Sequence, residues 1–80
     1  MTIRFSFSPA EATLTIQLRD QALDVIESAL DRAAETSALE IFVMDGSSNA
    51  HWAQVAESCM RRGPRFVYRR MAGRRSTAAA

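Results

Sequence analysis

Two stretches of strict alternation near the start of the chain constrain its fold more than any other feature. In Thr2–Phe7, Ile3, Phe5 and Phe7 share one side while Arg4 and Ser6 take the other. In Ala12–Leu18, Leu14, Ile16 and Leu18 alternate with Thr13, Thr15 and Gln17. A period of two is the pattern of a strand with one buried face. Ser8-Pro9-Ala10-Glu11 lies between the two, and its proline ends the first strand. The pair reads as an antiparallel hairpin.

The period then changes. Asp20 is placed to cap a helix running to about Glu35, along which Leu23, Ile26, Leu30 and Ala33 recur at helical spacing. Leu39–Met44 is apolar almost throughout, the mark of a central strand. Asp45-Gly46-Ser47-Ser48-Asn49 connects it to a second helix, with Ser48 or Asn49 as cap and Trp52, Val55, Ala56, Cys59 and Met60 as the apolar stripe. Gly63 falls where a helix-ending glycine belongs, and Pro64 bars continuation. Arg65–Arg70 is a last strand with Phe66 and Tyr68 inward.

The order is therefore ββαβαβ. Right-handed crossovers from strand 2 to 3 and from 3 to 4 advance the same way and put both helices on one face. This predicts a small α/β two-layer sandwich with a mixed four-stranded sheet in the order 1-2-3-4. Its uncovered face would show Arg4, Thr13, Thr15, Gln17, Glu40, Arg65 and Arg69 around Phe42, Met44 and Val67. An apolar centre inside a polar rim suits a contact surface, and Trp52 joins it as a candidate interaction residue. Residues 1–71 are expected to form one domain, and 72–80 a disordered tail rich in arginine and alanine.

A core this small has little to spare: below ~70–80 residues a single core supplies only ~3–5 kcal/mol. One cysteine, Cys59, excludes an internal disulfide, and one histidine, His51, argues against a Cys/His zinc site. Self-association, as a homodimer, or a protein partner is the expected extra support. No apolar run approaches the ~18 residues of a membrane span, and the first residues lack a signal-peptide pattern. The expected location is cytoplasmic.

Catalytic chemistry finds no foothold. Asp45 has no second acid nearby in sequence to complete a magnesium site, which favours a turn role. His51 and Cys59 are eight residues apart, too far along a helix for a base–nucleophile pair. No triad, phosphate-binding loop or metal-ligand set is present. The expectation is a chain with no catalytic residues, no metal and no cofactor.

The charge is divided. Residues 1–60 hold all nine acids against Arg4, Arg19 and Arg32, a net of −6, while residues 61–80 hold seven arginines and no acid, a net of +7. Arg61, Arg62, Arg69, Arg70, Arg74 and Arg75 are candidate contacts to nucleic acid or to an acidic protein surface. The same arginines could instead pair with the acids of the first helix or solubilise a tail. A third arrangement sets the acidic body of one copy against the basic end of another.

The helix–strand–DGSS–helix–strand section, about residues 20–69, resembles the STAS domain (sulfate transporter and anti-sigma-factor antagonist). Asp45-Gly46-Ser47-Ser48-Asn49 stands at the place of that family's serine motif, although Asp45 follows Met44 directly and Asn49 replaces the usual glycine. The resemblance implies a non-catalytic regulatory module that binds proteins, with Ser47 or Ser48 as a phosphorylated switch at a helix N-terminus. The ordinary role of a serine there is to cap the helix. Ala12–Ser48 also resembles the opening β-α-β of the crotonase superfamily, but NAHWAQVAESC holds no counterpart of its oxyanion motif. The expected function is a STAS-like interaction module, and the alternative is a small nucleic-acid-associated protein acting through its C-terminal arginines.

Overall fold

The computed structural model describes residues 3–48 and 51–71. The elements are β1 (Arg4–Ser8), β2 (Thr13–Leu18), α1 (Leu23–Ala34), β3 (Glu40–Asp45), α2 (Trp52–Arg62) and β4 (Phe66–Arg70). The sheet runs β1-β2-β3-β4, with β1 antiparallel to β2 and the other two pairings parallel. The mixed four-stranded architecture expected from the periodicities is the one formed. Asn49, Arg74 and Arg75, with the expected tail 72–80, lie outside the described residues.

Register decides what each face carries. Phe5, Ile16, Val43 and Tyr68 share one cross-strand row, and Phe7, Leu14, Ile41 and Phe66 the next. Both rows face the helices. Leu14, Ile16, Leu18, Ile41, Val43 and Phe66 meet Ile26, Leu30 and Ala33 of α1 and Val55 and Cys59 of α2 in one core. The opposite rows are Ser6–Thr15–Phe42–Val67 and Arg4–Gln17–Met44–Arg69, and among the described residues no helix packs on them. Phe42, Met44 and Val67 are accordingly only half-buried.

Several local expectations are corrected. Asp20 does not cap α1; the N-cap is Ala22, without a side-chain bond, and Asp20 adopts a positive φ of 59° in the preceding turn. Neither does Ser48 cap α2, whose N-cap is His51. On α2 the buried residues are Val55, Ser58 and Cys59, whereas Trp52 is 43 % and Met60 77 % exposed. The stripe is rotated toward Ser58, whose hydroxyl donates to Glu27 of α1 and accepts from Arg62.

Arg65 is corrected as well. Its guanidinium turns away from the open face and donates to the carbonyls of Ala34, Thr36 and Ala38, at 3.0–3.3 Å. Carbonyls at the end of a helix lack intrahelical donors, so a cation there meets both a hydrogen-bonding and a dipole requirement. Gly63 ends α2 at φ 120°, a conformation open to glycine and costly for other residues. No helix among the described residues is long and apolar enough to cross a membrane.

Candidate functional site

Parallel strands bring their C-terminal ends together, and here β2, β3 and β4 deliver Arg19–Gln21, Asp45–Ser48 and Arg69–Met71 to one end of the sheet. The connection is tight: Gly46 N–H donates to Leu18 O at 2.9 Å and Met71 N–H to Asp45 O at 2.7 Å. Asp45 is 1 % exposed. A carboxylate at that depth needs donors, and it has them: Ser47 N–H donates to Oδ1 at 2.9 Å and the Tyr68 hydroxyl to Oδ2 at 2.5 Å. Burial first, and Asp45 second, drive the Tyr68 phenol well above its ordinary pKa.

The two serines differ sharply. Ser47 is 2 % exposed, and its hydroxyl oxygen accepts the N–H of Asp20 at 2.7 Å. Ser48 is exposed; its N–H donates to Asp20 Oδ1 at 2.9 Å and its hydroxyl lies 3.3 Å from both carboxylate oxygens. Asp20 thus ties the β2–α1 turn to the β3–α2 loop in both directions. Its left-handed backbone is what aims the carboxylate at Ser48. Gln21 accepts Arg19 N–H at 2.6 Å through Oε1, while its buried Nε2 has no partner among the described residues.

The arginines divide into engaged and exposed. Arg62 bridges the helices, touching Glu27 Oε1 at 3.1 Å, Asp31 Oδ1 at 2.5 Å and Ser58 Oγ at 2.5 Å. Beside it, burial pushes the Cys59 thiol up to about 11, with Arg62 opposing. Arg70 lies over the Trp52 ring, 4.9 Å from its centroid. Of the candidate anion contacts among the described residues, Arg61, Arg69 and Arg70 are exposed at the surface.

Trp52 does not share a face with Phe42, Met44 and Val67. Arg70 follows Phe66 and Tyr68 in the helix-facing alternation of β4, so the Arg70–Trp52 contact belongs to the helix side. The open sheet face is therefore one site and the strand-end loops another. On the open face Phe42 pairs with Val67 and Met44 with Arg69, and Arg4 and Arg69 close the ends of the Met44 row. Spacing alone could not have found the Asp45–Tyr68 and Asp20–Ser48 pairs, whose members are 23 and 28 residues apart. Among the described residues no group of three His, Cys, Asp or Glu side chains could hold a metal ion.

Comparison of the chain with protein-family models, with curated proteins and with solved structures finds no match.

Proposed function

We propose that the chain is a non-catalytic protein-binding module whose contact surface is the bare face of the sheet. The observation that carries this reading is the cluster Phe42–Val67–Met44, half-buried on a face that no helix among the described residues covers, inside a rim of Thr15, Gln17, Arg4 and Arg69. An apolar centre with a polar, arginine-bearing rim is the usual anatomy of a protein interface. The partner it fits is a protein presenting an apolar patch edged with acidic groups, opposite Arg4 and Arg69.

The polar groups at the strand ends support a structural and regulatory role over a chemical one. Both Asp45 oxygens are committed to Tyr68 and Ser47, and Ser47 is buried. The accessible hydroxyl is that of Ser48. Under the STAS-like reading Ser48 is the switch, since a phosphoryl group there would meet the Asp20 carboxylate and loosen the two loops. The nucleic-acid alternative is weakened by the engagement of Arg62 and Arg65 in contacts within the fold.

The test is affinity capture with the full chain, with and without nuclease and at two salt concentrations, beside Phe42→Glu and Val67→Arg. A discrete protein that survives nuclease and salt, and is lost with either substitution, supports the reading. Capture of nucleic acid that falls steeply with salt, and is unmoved by Phe42→Glu, overturns it.

A further inference from the structure

A second surface, separate from the open face, lies along β1. This strand has β2 on one side only, so its outer row of backbone N–H and C=O groups faces no other strand of the sheet. Natural edges are usually blunted by a proline, a bulge or an inward-pointing charge. Within Arg4–Ser8 there is no proline, the pairing with β2 is continuous, and the residues turned to the helix side are Phe5 and Phe7. They stay 46 % and 50 % exposed because α1 stands beside β1 instead of over it. Two hollows of about 500 and 420 Å³ run between Phe5 and α1, and Asp24, Val25, Arg32 and Glu35 line their walls. The other edge, β4, carries two arginines, Arg69 and Arg70, against the single Arg4 of β1.

We propose that β1 is the seam of a homodimer, in which two copies join their β1 strands antiparallel, centred on Phe5, into one eight-stranded sheet. Three features select a second copy as the occupant. With Phe5 at the two-fold axis, Phe5 faces Phe5 and each Ile3 faces the other copy's Phe7, so the apolar row meets itself. On the opposite side Arg4, the one charge in the strand, faces Ser6 and avoids its own counterpart; like charges directly opposite would be destabilising. The area also suffices. A phenylalanine buries ~150–250 Å² when covered, so four half-exposed rings give ~400 Å², and strand backbone with Val25 brings the total toward the ~1,000 Å² of a specific interface.

The experiment uses the full chain in sedimentation equilibrium over a micromolar-to-millimolar series, with Phe5→Glu alongside. The wild type should approach twice the single-chain mass and Phe5→Glu should stay at the single-chain mass with an unchanged circular dichroism spectrum. A second measurement reads the register: Arg4→Cys and Ser6→Cys chains are mixed and oxidised. Directly opposed residues of an antiparallel pair lie ~4.5–5.5 Å apart at Cα, within disulfide range, and Cys59 is too buried to compete. A mixed disulfide that exceeds either self-linked product supports the seam. A monomer at every concentration, a dimer indifferent to Phe5→Glu, or no mixed disulfide overturns it.

Discussion

The Tyr68 hydroxyl donates to Asp45 Oδ2 at 2.5 Å, joining the ends of β3 and β4 beneath the loop that opens α2. Because Asp45 is 1 % exposed, its carboxylate has no water to fall back on if that donor is lost. Tyr68→Phe should lower the unfolding free energy by about 1–3 kcal/mol, the range for stranding a buried acceptor. Urea denaturation checks it. Asp45→Asn in the Tyr68→Phe background should cost less than in the wild type, because the pair shares one interaction.

Alkaline pH provides a cleaner window here than in most proteins. The chain has no lysine, one tyrosine and one cysteine, so Tyr68 and Cys59 are the side chains that titrate there. Both hold their protons more tightly folded than unfolded, from ordinary values of 10.0 and 9.0. Below those values both states are protonated and the contribution is fully present. Above them the unfolded chain ionises first, so stability falls as pH rises, and the Cys59 contribution is lost through about 11. Denaturation midpoints should decline from pH 9.0 upward; Cys59→Ala should delay the onset, and Tyr68→Phe should flatten the decline above 10.0.

Arg61 and Arg62 are neighbours with opposite duties. Arg62 is 16 % exposed and reaches Glu27, Asp31 and Ser58, whereas Arg61 is on the outer side of α2. Arg62→Ala should cost about 2 kcal/mol, between the values for exposed and buried ion pairs. Arg61→Ala should stay within about 0.5 kcal/mol. Paired melting curves of the two variants decide it. Equal losses would show that the inter-helix bridge is no stronger than a surface contact.

Why the fold was readable and the site was not comes down to range. Alternation in Ile3–Phe7 and Leu14–Leu18 is local, and so is the helical recurrence of Ile26, Leu30 and Ala33; each follows from one element and its buried face. Sheet order then followed from crossover handedness. The contacts of Asp20, Asp45 and Arg65 depend on parallel register and on loop conformation, which no short window holds. Asp20 illustrates the point: as a residue before a helix it looks like a cap, yet its positive φ sends the carboxylate to Ser48. Arg65 looks like an outward strand residue, yet the carbonyl of Ala34 at the end of α1 and those of Thr36 and Ala38 in the connection after it draw it in. The exposure of Phe5 and Phe7 was equally out of reach, since alternation reports which way a side chain points and not whether a helix stands above it.

The two serines of the β3–α2 loop should behave as different kinds of residue. Ser47→Ala removes the acceptor for the Asp20 N–H in a part-buried contact and should cost about 1–2 kcal/mol. Ser48→Ala leaves its own N–H bond to Asp20 in place and should cost less than about 0.5 kcal/mol. Ser48→Glu sets a second carboxylate against Asp20, so it should speed amide exchange in the β2–α1 turn while the core strands stay protected. Treatment with a serine kinase, read by peptide mass spectrometry, should modify Ser48 and spare Ser47, which is only 2 % exposed. Modification of Ser47 in the folded chain would require the loop to open, and faster exchange at Ser47 than at Ser48 would reverse the assignment.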